Sequence, residues 1–262
     1  MKALGVAHLT ALHLAPADLV TQAAGAGFSS VGLRLHPATA GGLYYPLDVA
    51  ARQVLKAVLD DQGMRVGDIE FVELTPDVDI EALASLLETG ADLGATSLTV
   101  SGDDSELSRL TDHYAALCQL AAGFGLRVDL EFMRWRAVAT LQQARLIVEG
   151  AGQANGGILL DALHLFRSGG EVAMLADIDP YWLRSVQLCD APLQAPPETQ
   201  IITEAREGRL PPGQGQLPLA ELLAALPGAV AVSVEMPYGK LGSVERLGLA
   251  YSSVAELLNS VA

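Results

Sequence analysis

Four apolar runs in the second half of the chain each end on a side chain that can bind a metal ion. The runs are VDLE, ILLD, SVQ and VSVE, and they end at Glu131, Asp161, Gln187 and Glu235. Hard divalent cations such as Mg²⁺ and Mn²⁺ prefer carboxylate and amide oxygens, and an octahedral ion held by four protein groups keeps two positions open for a substrate. If the fold brings the four ends together, the sequence predicts a divalent metal site.

Each of these residues also has an ordinary interpretation as the first solvated residue after a strand. A lone glutamine such as Gln187 is more often a hydrogen-bonding residue than a ligand. Four consecutive strands with the same pattern favour the metal site. Three carboxylates gathered in a low-dielectric pocket without a cation would also repel one another, so a bound cation is expected among them.

The elements that must position these residues are eight short β-rich runs separated by longer helical segments. This alternation predicts parallel strands joined by helices. We predict one (β/α)8 TIM barrel domain over residues 1–262, because such barrels commonly have about 250 residues and their strands meet with their C-terminal ends at one mouth. The predicted strands are ALGVAH, SSVGLRLH, RVGDIEFVEL, ATSLTV, RVDLEF, GGILLDALH, SVQLCD and AVSVEM, and APADLVTQAAGAG and PLDVAARQVLKAVLDDQG are among the helices.

Two connections have features of their own. Gly63 and Gly125 stand between a helical segment and a strand, where a residue with positive φ is needed to end the helix. The segment 190–216 is rich in Pro, Gly and polar residues and is long for a connection in a compact domain, which is typical of functional loops. We expect it at the mouth of the barrel.

Composition excludes several classes of function. The chain has 16 Lys and Arg against 31 Asp and Glu, a net charge of -15, which disfavours nucleic acid as a partner. No apolar stretch has the length of a membrane helix, and the first residues carry His8 and His13 where a signal peptide is apolar, so we expect a cytoplasmic protein. Cys118 and Cys189 have no metal-site or disulfide spacing and are expected to be buried free thiols.

Four segments resemble the xylose isomerase-like TIM barrels, the sugar phosphate isomerase/epimerase group. They are DALHLFRSGG, QLCDAP, RLPPGQGQLPL and VEMP. The resemblance implies a metal bound by Glu, Asp, His and Glu at the ends of strands five to eight, positions that match Glu131, Asp161, Gln187 and Glu235. Gln187 stands where the family usually has His, and because a carboxamide oxygen is harder and more weakly bound than imidazole, we expect either Mg²⁺ or Mn²⁺ rather than Zn²⁺, or a weaker metal site.

The resemblance also implies catalytic roles. Glu131 and Glu235 would flank the substrate, one removing a proton next to a carbonyl and the other returning it. A cation that bridges the carbonyl and the neighbouring hydroxyl stabilises the enediolate that forms. His164 matches the family position that contacts substrate oxygens. Its alternative is a structural histidine that caps the following helix.

Further polar residues are predicted at the mouth. His8 and His36 end the first two strands, Trp135 follows Glu131, and Arg206 lies in the long loop with Arg209, where a guanidinium group binds a substrate carboxylate or phosphate. We assign substrate binding to His8, His36, Trp135, His164 and Arg206. Other candidates, each also readable as an ordinary loop residue, are Glu73, Asp103, Arg134 and Arg136.

Three functions remain open from the sequence. The leading one is a divalent-metal-dependent isomerase or epimerase of a small sugar, sugar acid or polyhydroxy ketone. The second is a dehydratase of a cyclic hydroxy-ketone, such as a dehydroshikimate- or inosose-like compound, in which the same enolate expels a β-hydroxyl. The third is a barrel that binds a small metabolite without turnover. The oligomeric state also stays open, and a homo-oligomer is compatible with the sequence.

Overall fold

A closed barrel of parallel strands forms the centre of the molecule. The computed structural model describes residues 4–39, 41–228 and 230–261. Within them, eight strands pair in chain order and the last pairs with the first, which confirms the predicted TIM barrel. All eight predicted runs form strands, although Ala3 of the first run lies outside the described residues. The strands are β1 (Leu4–Val6), β2 (Ser30–Arg34), β3 (Arg65–Leu74), β4 (Ser97–Gly102), β5 (Arg127–Glu131), β6 (Gly156–Asp161), β7 (Leu183–Leu188) and β8 (Ala231–Val234).

Helices connect the strands and cover the barrel. Gly63 (φ 62°) and Gly125 (φ 74°) have the left-handed conformation expected of them. Four of the described helices, α2, α4, α5 and α6, are capped by a side chain at their start, and at α5 Thr140 and Gln143 form a capping box. The α-helices of the described residues are α1 (Pro16–Ala26), α2 (Val49–Gln62), α3 (Ala84–Asp92), α4 (Leu107–Ala122), α5 (Leu141–Ala151), α6 (Ala162–Arg167), α7 (Ile201–Glu207), α8 (Leu219–Ala225) and α9 (Ser243–Ser260).

The alternation of side chains along each strand separates the apolar core from a polar barrel interior. On β5, Val128 and Leu130 belong to the apolar core. Asp129 and Glu131 line cavities instead. A strand such as VDLE is therefore buried on both faces, and only one of them is apolar.

The long segment after β7 is more ordered than the loop that its composition predicts. It contains α7, and an antiparallel bridge joins Asp190 to Leu210 through two backbone hydrogen bonds of 2.8 Å. The Asp190 carboxylate also accepts hydrogen bonds from the backbone N–H groups of Gly213 and Leu217, each at 3.0 Å. These contacts fix the backbone that follows Arg209.

Two expectations about the rest of the chain concern membranes and thiols. Of the helices in the described ranges, none has both the length and the apolar character needed to cross a bilayer. Cys118 and Cys189 are both buried free thiols, as predicted. Burial raises the pKa of each thiol to about 12, so both are protonated and unreactive at neutral pH.

Candidate active site

The C-terminal ends of β5 to β8 bring the predicted site residues to one mouth of the barrel. Asp161 and Gln187 are paired neighbours on β6 and β7, Glu131 ends β5, and Glu235 directly follows β8. All four are buried, with exposures of 5% or less. A cavity of about 280 Å³ opens at this mouth, and its lining includes Glu131 and Glu235.

A buried guanidinium group, that of Arg209, lies among these carboxylates. Its Nη1 atom is 2.5 Å from Oδ2 of Asp161, and its Nη2 atom is 2.7 Å from Oε2 of Glu235. Only 1% of Arg209 is exposed. A side chain of the protein itself thus supplies a positive charge among these carboxylates, which the prediction had assigned to a bound cation.

His164 lies at the start of α6, inside the site. The helix cap is Asp161, whose Oδ1 accepts a hydrogen bond of 2.9 Å from the backbone N–H of His164. The imidazole Nε2 is 3.6 Å from Oε1 of Glu131 and 3.5 Å from Nη2 of Arg209. Trp135 packs edge-on against this ring at 5.1 Å between centroids. The side chain of His164 therefore belongs to the site, and the capping role falls to Asp161.

Gln187 lies beside Asp161, but its side chain lines a second cavity of about 100 Å³ in the barrel interior, together with Asp68 and Asp129. Its exposure is 2%, and its Oε1 atom has no hydrogen-bond partner among the described residues. A buried carbonyl oxygen without a partner is rare and costs free energy. Gln187 thus has an unpartnered carbonyl oxygen in this second cavity, on the strand that pairs with the strand of Asp161.

Burial and charge set the ionisation of these groups. Burial, with the charges of Glu235 and Asp161 added, holds the pKa of Glu131 well above its ordinary range. Burial also raises the pKa of Glu235, and Arg209 opposes this rise, so that the pKa is about 7. Burial alone would raise the pKa of Asp161, but Arg209 lowers it below its ordinary value. Burial lowers the pKa of His164 to about 4, so its ring is neutral at pH 7.

The predicted substrate-binding residues divide into two groups. Trp135, His164 and Arg206 line the cavity at the mouth. His8 has both ring nitrogens bound to backbone, Nε2 to the Leu14 carbonyl at 2.9 Å and Nδ1 to the Arg34 N–H at 2.8 Å. His36 is held by the Phe71 carbonyl at 2.8 Å and lines a separate surface cavity. The contacts of these two histidines are those of structural residues.

Sequence reasoning missed two charged residues of the cavity wall. Arg34 and Glu70 are both buried and lie 3.2 Å apart, between Nε and Oε1. Arg34 is the last residue of β2, and the period of two along that strand points it to the barrel interior, as for Glu131. That alternation was the available signal. Three of the other candidates pair with each other, since Arg136 binds Glu73 and, at 2.9 Å, Asp103. The fourth, Arg134, binds Glu198 and donates a hydrogen bond of 3.1 Å to the Arg167 carbonyl.

The sequence profile of the xylose isomerase-like TIM barrel family matches residues 20–258. The chain belongs to this family. Among solved structures, the one described as IOLI protein with a binding zinc atom superposes with a TM-score of 0.81 at 20% identity, covering 100% of this chain and 99% of that one. This likeness of xylose isomerase-like barrels shows the common fold.

Two curated relatives of this xylose isomerase-like barrel are enzymes. The 3-dehydroshikimate dehydratase of Pseudomonas aeruginosa is 37% identical over 139 residues, which is 52% of this chain and 22% of the relative. The inosose isomerase of Halalkalibacterium halodurans is 30% identical over 154 residues, 55% of this chain and 52% of the relative. The matched region is thus about a fifth of the dehydratase and half of the isomerase.

The donor atoms of this xylose isomerase-like site fit a divalent metal ion. Ligand atoms of Glu131, Asp161 and His164 all lie within 4.8 Å of one another. Gln187, on the neighbouring strand, has an unpartnered Oε1 atom, although its side chain lines the second cavity. Arg209 holds two carboxylates that such an ion would use. The donor set suits a cation, and a guanidinium group contacts part of it.

Proposed function

We propose that this protein is an isomerase or epimerase that moves a proton next to the carbonyl of a small polyhydroxy ketone, sugar or sugar acid. The observation that carries the proposal is that two buried glutamates, Glu131 and Glu235, line one cavity. Proton removal and return need two such groups beside one substrate. The volume of about 280 Å³ suits a small molecule rather than a polymer.

The two glutamates would have different roles because their neighbours differ. In the metal-free protein Glu235 contacts Arg209 at 2.7 Å. A cation at this position, whether the guanidinium group or the metal ion that would replace it, favours the ionised form of Glu235 and suits it to be the base. Glu131 instead faces the neutral ring of His164 at 3.6 Å and keeps its proton more readily. Glu235 would remove the proton next to the carbonyl, and Glu131 would donate one to the opposite side of the enediolate. His164 would bind a substrate oxygen beside them.

The cofactor that we propose is one divalent ion, Mg²⁺ or Mn²⁺, held by Glu131, Asp161, Gln187 and Glu235. Oxygen donors of this kind suit these two ions better than Zn²⁺. When bound, the ion supplies Lewis-acid stabilisation of the negative charge that develops on the substrate oxygen. The residues of the chain orient the substrate and transfer the protons.

A dehydratase is the second candidate, and the 37% identity to a 3-dehydroshikimate dehydratase favours it. The first half of the reaction is the same, because Glu235 removes the proton next to the carbonyl. The enolate then expels the β-hydroxyl, which Glu131 protonates so that it leaves as water. The product is a conjugated ketone, whereas an isomerase returns the proton to carbon.

Hydrogen exchange tests the shared chemistry. The purified protein, with Mg²⁺ or Mn²⁺, is incubated in D₂O with a panel of ketohexoses, an inosose and 3-dehydroshikimate, and proton NMR follows the carbon-bound proton next to each carbonyl. We expect exchange with at least one compound and its loss, by at least about a hundredfold, in Glu235→Gln, which keeps the shape and removes the base. New ultraviolet absorbance would identify the dehydratase.

The matched control is Glu149→Gln, because Glu149 is an exposed residue of α5. This variant should exchange at the wild-type rate. Undiminished exchange in Glu235→Gln would contradict the two-glutamate mechanism. Saturable binding of a compound without any exchange would instead support the metabolite-binding barrel.

A further inference from the structure

Arg209 is held in the site by three polar contacts of its guanidinium group that are shorter than 3 Å. Nη1 contacts Asp161 at 2.5 Å and Nη2 contacts Glu235 at 2.7 Å. Nε donates a hydrogen bond of 2.8 Å to the carbonyl of Ala205 in α7. The group thus bridges the end of β6 and the residue after β8, two positions where the proposed metal site takes its ligands.

We propose that Arg209 is the resident cation of this site in the metal-free protein, and that a divalent ion binds between Asp161 and Glu235 only when the guanidinium group turns away. The proposal rests on the proposed function, because it takes its metal ligands from there. Arg209 would compete with the metal ion for the carboxylate oxygens of Asp161 and Glu235.

Interatomic distances show that the guanidinium group of Arg209 and a divalent ion cannot occupy the site at the same time. Mg²⁺ needs ligand oxygens at about 2.0–2.1 Å in near-octahedral geometry. An ion that contacts Oδ2 of Asp161 and Oε2 of Glu235 would lie close to both Nη atoms, which already stand 2.5 and 2.7 Å from the same oxygens. Two positive groups cannot share that space. The other oxygen of Asp161 is also engaged, since it accepts the backbone N–H of His164 at 2.9 Å.

The movement required is a rotation of the side chain alone. The backbone next to Arg209 is fixed by the bridge between Asp190 and Leu210 and by a second bridge between Gly208 and Tyr238. Arg209 lines the cavity of about 280 Å³, which leaves room for the guanidinium group on the open side of the carboxylates. Exchange of the cations is therefore compatible with a rigid barrel.

Direct metal binding tests the competition. Electron paramagnetic resonance of free Mn²⁺ gives the Mn²⁺ affinity of wild type, Arg209→Gln and the control Arg206→Gln. Arg206 lines the same cavity and carries the same charge, but it is exposed. We expect Arg209→Gln to bind Mn²⁺ at least about tenfold more tightly than wild type, a coupling common between competing sites. The control should stay within about twofold of wild type.

A second measurement uses the wild-type protein and so does not depend on the folding of a variant. Phenylglyoxal modifies accessible arginines, and peptide mass spectrometry reports the modified fraction of Arg209. We expect Arg209, which is 1% exposed, to be protected in the metal-free protein and to react several times faster with saturating Mn²⁺. Arg145 on α5 serves as the internal standard, with an unchanged rate.

Several results would overturn the competition. They are equal or weaker Mn²⁺ binding by Arg209→Gln, continued protection of Arg209 at saturating Mn²⁺, and absence of Mn²⁺ binding by both proteins. The proposed function is judged separately by the exchange of carbon-bound protons. Exchange by a protein that binds no Mn²⁺ would refute the competition and leave the two-glutamate chemistry in place.

Discussion

Removal of one hydroxyl group, that of Tyr114, is expected to destabilise the barrel below the candidate site. Tyr114 lies on α4 and is fully buried. Its hydroxyl is 2.8 Å from the carbonyl oxygen of Val128 and 3.1 Å from that of Gly157, to which it can donate, and it accepts the backbone N–H of Gly157 at 2.9 Å. It therefore joins β5 and β6, the strands that end in Glu131 and Asp161.

The magnitude follows from the groups that Tyr114→Phe leaves without partners. The N–H of Gly157 loses its acceptor in a buried position, which costs about 1–3 kcal/mol. The hydrogen bond donated to a strand carbonyl contributes a further 0.5–1.5 kcal/mol or so. The phenylalanine ring keeps the apolar contacts, so we expect a loss of about 2–4 kcal/mol in the free energy of unfolding.

Urea denaturation measures this loss, and the slope of free energy against urea should stay unchanged because the same surface is exposed on unfolding. Tyr181→Phe is the matched control. Tyr181 is 71% exposed, so its hydroxyl meets solvent and its removal should change stability by less than about 0.5 kcal/mol. A loss below about 1 kcal/mol for Tyr114→Phe would refute the argument that this hydroxyl joins the two strands.

Two further predictions concern the barrel interior. Burial, with the charges of Glu70 and Glu235 added, raises the pKa of Asp68 to about 8, so the folded protein holds a proton that the unfolded chain releases, and stability falls as pH rises from about 4 to 8. The side chain in Asp68→Asn cannot titrate, so the free energy of unfolding of this variant should rise by about 1–4 kcal/mol relative to that of wild type between about pH 5 and pH 8. Urea denaturation at each pH measures both free energies. A difference between them that does not change with pH would contradict the raised pKa. Gln187→His should raise the affinity for Zn²⁺ relative to Mg²⁺ at least about tenfold in competition titrations, because imidazole suits Zn²⁺ better than a carboxamide oxygen does. An unchanged preference would remove Gln187 from the proposed ligand set.

The fold could be predicted from the sequence because local patterns determine it. Each strand has β-rich residues, helices such as α2 and α5 have a side-chain cap at the start and a glycine at the end, and a residue that ends a parallel strand lies at the mouth whatever its neighbours are. That rule placed Glu131, Asp161 and Glu235 correctly at one end of the barrel. The same rule applies to Arg34, which is the last residue of β2. The prediction took His36, two residues later, as the end of that strand and therefore missed Arg34.

Long-range contacts limited the prediction of the site. His8 ends β1, as expected, but its Nδ1 accepts the N–H of Arg34 from the neighbouring strand, a contact that no pattern along β1 reveals. Arg206 and Arg209 are equivalent in the sequence, three residues apart in a loop. The helix α7 and the bridge at Leu210 turn Arg209 inward and leave Arg206 exposed. That difference depends on the path of the whole segment after β7.

The charge of the site separates what a sequence determines from what it leaves open. Three carboxylates that converge at the ends of β5, β6 and β8 require a positive charge among them, and this requirement can be derived without coordinates. The source of that positive charge cannot be derived from the sequence, because Arg209 and a divalent ion would neutralise the same carboxylate oxygens of Asp161 and Glu235. The two differ by one unit of charge, and Arg209 is covalently attached and always available. A metal ion must therefore bind more strongly than the guanidinium group of Arg209, which loses no translational entropy when it occupies the site. For this reason the Mn²⁺ affinity of Arg209→Gln tests which cation neutralises these carboxylates.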